Sequence, residues 1–393
     1  MVHPAYQQPD RVVVVGGDGL YNEVLFGLVM REQCERGVAV EDFRTALLPP
    51  TLRIGIIPAG STNSLCCTVH GNADPTTAAL HIVIGDNSGV DVCSIWEGNA
   101  LKRFASTMVS YGYLGDVLKD SERLRRFGPV RYKLSGLKMM LKHPSYAGKV
   151  DFNCVQKRRQ SGDKKIDATK LDGYNKTSPQ CQYKCQVCDQ EDTARPIDSC
   201  TQLEDEIGFS SYTHHVKSQF CHIVGVITPC FSAVSPKGVN PTGHLGDGTL
   251  ELVLVPQISR AENATFLIAA MSTGKHVESD IIYRYQVNQF SFTPMSTQEL
   301  DNLSDDPSAS NDNELKEENK IQELNNNTKV YPRGTWNIDG EICQQPCASL
   351  HFRVHRRLIR VFARGIERSV VKKKSRCRAF FTSRQYSAAV DRD

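Results

Sequence analysis

Positions 16 to 19, Gly16-Gly17-Asp18-Gly19, combine three glycines with one carboxylate directly after the β-branched run Arg11 to Val15. Glycine permits a tight turn whose backbone amides can approach a phosphate closely. An aspartate repels phosphate, so it fits better as a base for a hydroxyl nucleophile or as a partner of Mg²⁺. The alternative is a Gly-Asp-Gly turn that only caps a helix. The residue types therefore favour phosphoryl-transfer chemistry without excluding a structural turn.

A second turn, Pro58-Ala59-Gly60-Ser61-Thr62-Asn63, follows the apolar run Leu52 to Ile57. Its hydroxyl, amide and backbone donors could hold phosphate oxygens, although taken alone it is also an ordinary N-cap sequence. If the two runs are adjacent parallel strands, both turns lie at the carboxyl edge of one sheet, where α/β proteins bind ligands. The two turns together are therefore a stronger indication of a nucleotide site than either turn alone.

The elements that must position these turns follow from periodicity. Leu20 to Arg31 has apolar residues at helical spacing, and Thr76 to Ile84 is a further predicted helix, so two tandem βα units predict a parallel sheet. After Asp91 short β-rich runs predominate and predict an antiparallel sheet domain. These runs are Val90–Ile95, Phe104–Val109, Phe220–Thr228, Leu250–Val255, Gln289–Thr293 and His351–Phe362.

In order and spacing, the two turns resemble the diacylglycerol kinase catalytic superfamily, which includes the sphingosine and ceramide kinases. Further motifs of the same resemblance are Tyr111–Asp116, Asp120–Gly128 with Arg131-Tyr132, His244–Gly248 and Asn337–Glu341. Four segments are similar to the ceramide kinase branch in particular: Ile56–Thr62, Ala79–Val83, Lys119–Glu122 and Phe362–Glu367. The resemblance covers most of Arg11 to Glu367.

The resemblance implies an α/β plus all-β architecture. An incomplete α/β nucleotide-binding domain with a parallel sheet would occupy residues 1–95, and an antiparallel β-sandwich lipid-binding domain residues 96–336. Residues 337–367 would return to complete the nucleotide site, ahead of a basic tail at 368–393. Polar insertions are expected at about 156–207 and 301–328, the second disordered. The family's first strand, its glycine-rich phosphate loop and the pleckstrin-homology-like module of ceramide kinases would precede Arg11, so we expect a shortened chain.

The activity implied is transfer of the γ-phosphoryl group of ATP, with Mg²⁺, to the primary hydroxyl of ceramide, giving ceramide 1-phosphate. Sphingosine or diacylglycerol kinase activity is the alternative within the superfamily. A catalytically silent lipid-binding fragment is the alternative of another class, because the upstream phosphate loop is not in the sequence. Soluble kinases of the NAD kinase or phosphofructokinase kind share the Gly-Gly-Asp-Gly chemistry, but they do not explain the later motifs.

The same resemblance assigns roles by position, with Asp18 as the base for the lipid hydroxyl. Residues expected to line the acceptor site are Gly16, Gly17, Asp18, Gly19 and Asp116. Residues expected to bind ATP are Glu23, Gly60, Ser61, Thr62, Arg125, Arg131, Asp339, Gly340 and Glu341. Asp120 is a candidate Mg²⁺ ligand, and because the aspartate spacing varies within the family, the roles of Asp116 and Asp120 could be exchanged. From charge pattern alone, Arg125 and Arg126 could instead lie on a solvated helix face. Asp247-Gly248 is expected to form a turn before the strand Thr249–Val255, and a role linked to a metal ion is the alternative.

Cys181, Cys185 and Cys188 resemble the cysteine cluster of ceramide kinases. Three thiolates at this spacing could bind a soft metal ion with a fourth ligand such as Cys200, His214 or His215. The alternative is free thiols in an ordered loop.

Bulk properties limit the remaining possibilities. A net charge of +3, from 47 basic and 44 acidic residues, gives no reason to expect a nucleic-acid partner. The start lacks a secretory signal, so we expect a cytoplasmic protein. No apolar run approaches the roughly 18 residues needed to span a bilayer, so we expect a peripheral contact with the membrane that holds the lipid. The oligomeric state is not predicted.

Overall fold

The computed structural model describes residues 10–41, 43–128, 130–155, 181–182, 185, 187, 212–296, 334–346 and 348–367. They form a mixed α/β fold with one large mixed sheet. The strands are β1 (Arg11–Gly16), β2 (Arg53–Pro58), β3 (Asn87–Glu97), β4 (Ala100–Ala105), β5 (Met108–Gly112), β6 (Tyr146–Cys154), β7 (His214–Val226), β8 (Leu250–Pro256), β9 (Tyr283–Pro294), β10 (Thr335–Ile338), β11 (Glu341–Gln344) and β12 (Leu350–Phe362). The helices are α1 (Asp18–Glu35), α2 (Ser64–His70), α3 (Pro75–Ile84), α4 (Tyr113–Glu122), α5 (Val130–Lys142) and α6 (Arg260–Ser272), with 3-10 turns at Arg125–Phe127 and Lys275–Glu278.

The two predicted βα units are present and lie side by side. β1 and β2 pair in parallel, with Gly16 opposite Pro58, so the turns that follow them meet at one edge. β12 then pairs in parallel with β2 and antiparallel with β3 and β9. The last described strand thus joins the parallel part of the sheet to the antiparallel part.

The antiparallel part was predicted to be a β-sandwich, and that detail is not confirmed. The described strands hydrogen-bond in one continuous network in the order β1-β2-β12-β9-β6-β7-β5-β10-β11, to which β3, β4 and β8 attach. Two large apolar cores accompany it. One packs α1, α2 and α3 against β1, β2 and β12, and the other fills the antiparallel region around Phe152, Phe290, Trp336 and Phe352.

Five of the six predicted β-rich runs coincide with β3, β7, β8, β9 and β12. The prediction of one strand over Phe104–Val109 is wrong, because β4 ends at Ala105 and β5 begins at Met108. At the break, the amides of Ser106 and Thr107 donate to the Asp339 side chain instead of to a neighbouring strand. The sequence interpretation also missed α2, α4, α5 and α6. α6 does begin with a capping box between Ser259 and Glu262.

Most of the predicted insertion at 156–207, all of 301–328 and the basic tail lie outside the described residues. Among the residues that the structure does describe, no helix has the length and apolar character needed to cross a membrane.

Candidate active site

The two glycine turns touch through their backbones. A Cβ atom built on Gly17 would lie 2.8 Å from the Cα of Gly60, and one built on Gly60 would lie 2.4 Å from the Cα of Gly17. The Ala59 amide donates to the Gly16 carbonyl at 2.9 Å. Asn63, in the left-handed region at φ 53°, closes the second turn by accepting from the Gly60 amide and donating to its carbonyl. Both turns therefore need glycine at the point of contact.

Asp18 is the first residue of α1 and lies against the start of α2. Its half-buried carboxylate accepts hydrogen bonds from the backbone amides of Asn63, Ser64 and Leu65. Burial, and next the nearby charge of Asp339, raise the pKa of Asp18 to about 6, although those three amides act in the opposite direction. A carboxylate of this pKa is largely ionised at neutral pH and can still accept a proton readily.

Asp339 is buried and binds the β4–β5 connection. Its carboxylate accepts from the Ser106, Thr107 and Met108 amides at 2.7–3.0 Å and from the Thr107 hydroxyl at 2.6 Å. Asn22 on α1 also donates to it, at 3.2 Å. Asp339 therefore fixes α1 relative to the strands behind it, and its oxygens are already engaged by protein donors.

The β10–β11 hairpin brings a further carboxylate to the turn. Asp339 and Gly340 form its two-residue turn and both have positive φ, as expected for an Asp-Gly hairpin connection. Beyond that turn, exposed Glu341 places Oε1 only 2.7 Å from where a Cβ of Gly19 would be. A side chain at position 19 would displace this carboxylate.

The structure thus brings together three groups of predicted residues: 16–19, 60–63 and 339–341. Gly60, Ser61 and Thr62 are exposed, which leaves them accessible to a ligand. Glu23 is exposed on α1, and its predicted contact with ATP stays a prediction.

A second cluster of predicted residues, the two arginines expected to bind phosphate, lies on α5 and on the 3-10 turn between α4 and α5. The guanidinium groups of Arg125 and Arg131 both pair with Glu122, and Arg131 also donates to the Tyr132 hydroxyl at 2.6 Å. Arg125 is largely exposed, whereas the Arg131 side chain is only 19% exposed. Two guanidinium groups on one carboxylate leave a surplus positive charge, which is compatible with their predicted role in phosphate binding.

The two aspartates of α4 have protein partners. Asp116 accepts from the Tyr146 hydroxyl at 2.5 Å and from the Thr335 amide at 3.0 Å. Asp120 accepts from Ser135 at 2.9 Å and pairs with Lys138, so it ties α4 to α5. Burial alone would raise the pKa of Asp120, but these hydrogen bonds outweigh it and lower the pKa. Acceptor binding at Asp116 and Mg²⁺ binding at Asp120 stay predictions.

With this geometry established, comparison with known proteins gives the family. The model of the ceramide kinase C-terminal domain matches residues 180–380, more than half of the chain, and the model of the diacylglycerol kinase catalytic domain matches residues 1–95. The chain belongs to the ceramide kinase family.

Two curated relatives agree with this placement. The chain is 35% identical over 375 residues to ceramide kinase 1 of Caenorhabditis elegans and 36% identical over 372 residues to ceramide kinase of Mus musculus. These matches cover 93% and 91% of the chain but only 58% and 64% of the relatives' own lengths. A solved structure of a diacylglycerol kinase from Bacillus anthracis is 13% identical, with a TM-score of 0.47, covering 90% of this chain and 77% of that one.

The predicted cysteine cluster of this ceramide kinase family member is only partly described. Cys181 and Cys185 converge on His244, whereas Cys188 and Cys200 lie outside the described residues. His214 and His215, which the sequence suggested as fourth ligands, are on β7 with other contacts: His214 stacks on Phe152, and His215 contacts Asp151 at 2.6 Å. His244 comes from the His244–Gly248 motif, in which Asp247 accepts from the Thr249 amide and hydroxyl and forms the predicted turn.

Three residues that complete the site were missed from sequence. Asn22, Ser106 and Thr107 all donate to Asp339, across separations of more than 200 residues. The only available signal was indirect: the polar pair Ser106-Thr107 interrupts an otherwise β-rich run. A buried carboxylate needs several donors, and this requirement could have prompted a search for them.

Proposed function

We propose that the chain is an ATP-dependent lipid kinase that phosphorylates the primary hydroxyl of ceramide to give ceramide 1-phosphate. The observation that carries this proposal is Asp18, a carboxylate of raised pKa held by three amides beside two interlocked glycine turns. In the proposed reaction, Asp18 accepts the proton of the lipid hydroxyl as its oxygen forms the new bond to phosphorus. The backbone amides of the turns orient the phosphoryl groups.

ATP and Mg²⁺ are the proposed cofactors, and the residues present are compatible with both. Glu341, Asp18 and Asp339 gather negative charge around the Gly19 turn, and carboxylate oxygens are the ligands that Mg²⁺ prefers. Asp339 is saturated by donors, so exposed Glu341 is the more accessible oxygen donor for an incoming ion. When bound, Mg²⁺ neutralises phosphate charge. Exposed Ser61 and Thr62 supply hydroxyl donors to the nucleotide.

Ceramide is proposed over sphingosine and diacylglycerol because of the relatives. The animal proteins named ceramide kinase match across more than 90% of the chain and those of Arabidopsis thaliana and Oryza sativa across 64% and 52%, whereas a relative named sphingosine kinase 1, from Arabidopsis thaliana, matches 36% of it. All three lipids present a primary hydroxyl to the same base, so the distinction belongs to residues that contact the rest of the lipid.

We also propose that the chain meets its lipid at an anionic membrane surface through α5. Val130, Leu134, Leu137 and Leu141 recur at helical spacing, yet each is between 44% and 64% exposed. A shallow groove on this face is lined by three of those leucine side chains together with Lys138 and Lys142. An apolar stripe beside cationic side chains is typical of helices that lie in a membrane interface.

The test is a phosphorylation assay of the chain with labelled ATP and Mg²⁺ on anionic vesicles containing ceramide, sphingosine or diacylglycerol. We expect labelled ceramide 1-phosphate, with less product from the other lipids and a loss of about 10²- to 10⁴-fold in Asp18→Asn. Equal signal from wild type and Asp18→Asn would overturn the assignment of the base. A preference for another lipid would overturn the choice of substrate only.

A further inference from the structure

We propose that Cys181, Cys185 and His244 form a zinc site that fastens the cysteine segment, meaning described residues Cys181, Gln182, Cys185 and Val187, onto the sheet. A Cys181 and Cys185 sulfur and a His244 ring nitrogen lie within 4.8 Å of one another. Cys185 Sγ is 3.3 Å from His244 Nε2. Ligand atoms on one tetrahedral zinc ion are about 3.5 Å apart, given Zn–S and Zn–N bonds of about 2.3 and 2.0–2.1 Å.

The three donors converge because core packing and hydrogen bonds hold the segments that carry them. Cys181 is 2% exposed within the core below β12, and its carbonyl accepts from the Ile366 amide at 2.7 Å. Gly365, at φ 104°, has no room for a Cβ, which would lie 2.8 Å from that carbonyl oxygen. Arg357 donates both to the Val187 carbonyl at 3.1 Å and to the Gly246 carbonyl at 3.0 Å. It therefore holds the segment next to the His244 turn.

A single cysteine in contact with a single histidine does not by itself indicate a metal site. On α2, Cys66 Sγ also lies 3.3 Å from the Nδ1 atom of His70. Among the described residues, however, that pair has no third metal-ligating side chain close to it. Burial of two thiols and an imidazole together is costly unless they are paired, and Zn²⁺ satisfies all three at once. Thiolate and imidazole ligands together favour zinc over Mg²⁺ or Ca²⁺.

Metal binding at this site would require the ligand side chains to lose or move protons. The Gly246 amide donates to His244 Nδ1 at 3.0 Å, so the ring proton is on Nε2 and faces Cys185. A zinc ion at Nε2 would displace the thiol protons, and the ring proton would have to move to Nδ1, where it would face the Gly246 amide donor; the imidazole would therefore turn away from that amide and give up its hydrogen bond. One neutral hydrogen bond is small beside the metal–ligand bonds gained. Binding should therefore weaken as the pH falls.

Metal content tests the proposal without any use of kinase activity. The full chain is dialysed against Zn²⁺, then against metal-free buffer, and zinc is measured by mass spectrometry. We expect about one zinc ion per chain, with a loss of most of it in Cys185→Ser and His244→Gln. Cys34→Ser, at an exposed cysteine of α1, is the matched control and should keep the ion.

Co²⁺ titration of the wild-type chain provides a second measurement that does not depend on the folding of a ligand variant. Thiolate coordination gives a charge-transfer band in the near ultraviolet, and added Zn²⁺ should abolish it. Wild-type chain that retains no zinc and gives no such band would overturn the proposal. Zinc content in Cys185→Ser and His244→Gln equal to that of Cys34→Ser would also overturn it.

Discussion

The Cα of Gly17 lies so close to Gly60 that a methyl group on Gly60 would approach it to 2.4 Å. Because the atom in the way is backbone, Gly60→Ala must push the two turns apart. We expect a loss of about 1–3 kcal/mol in the free energy of unfolding and a fall of about 10²-fold in kcat/KM. Urea titration and the vesicle assay measure the two effects.

Gly27→Ala is the matched control for this prediction. Gly27 is on α1, and a Cβ there has no heavy atom within 4 Å. Alanine is the better helix former, so this variant should gain about 0.5–1 kcal/mol and keep its activity. Equal activity in both variants would contradict the idea that contact between the turns determines the geometry of the active site.

The pKa of Asp18 predicts how activity depends on pH. With a pKa of about 6, the carboxylate becomes protonated below that pH and can no longer accept the lipid proton. The logarithm of kcat/KM should therefore rise with a slope of about one up to pH 6 and level off above it. A rate independent of pH between 5 and 8 would count against Asp18 as the base.

The same group should make stability depend on pH. Its folded-state pKa is raised from 3.8, so the protonated carboxyl stabilises the fold at low pH, and that stability is lost as the pH rises to about 6. Asp18→Asn removes the cost of ionisation. Relative to wild type, its free energy of unfolding should rise by roughly 1–3 kcal/mol between pH 4 and pH 7.

Urea titrations across that range measure the difference, and Asp280→Asn, at an exposed carboxylate, is the control. A difference for Asp18→Asn that stays flat from pH 4 to 7 would show that the native site does not disfavour the charge. An inactive but more stable variant would instead identify a carboxylate retained for chemistry at the expense of stability.

The exposed face of α5 predicts a selective defect in membrane binding. Leu137→Glu places a charge in the centre of the apolar stripe, so sedimentation with anionic vesicles should fall by at least about tenfold, since a buried apolar side chain contributes about 1.5–3 kcal/mol. Circular dichroism should be unchanged, because Leu137 is 52% exposed. Leu80→Glu, at a 56% exposed leucine of α3, is the control. Loss of binding in both variants would mean that α5 has no special role.

Local sequence predicted the positions of the two glycine turns, because each turn consists of consecutive residues. Gly16 to Gly19 and Gly60 to Asn63 each follow one strand, and parallel pairing brings them together. The donors to Asp339 could not be predicted in this way, since Ser106 and Thr107 meet it only through tertiary folding. For α5 the apolar residues do recur at helical spacing, but the pattern could not show that this stripe faces solvent rather than a core. The contact between His244 and Cys185 could not be predicted either, because these residues are far apart in sequence and the hydrogen bond from Arg357 to Gly246 that helps to bring them together is also a tertiary contact.

The position of β12 has a consequence for how the chain is made. One edge of β2 pairs with β1, and the other pairs with β12. In the second pairing Val361 lies opposite Ile54, although it is about 300 residues further along the chain. At a synthesis rate of 5–20 residues per second, the ribosome needs roughly 15–60 s to produce that partner. Throughout this interval the edge of β2 is unpaired, and an unpaired edge is open to association with other chains. Nascent chains should therefore depend on chaperones at this edge until synthesis reaches β12.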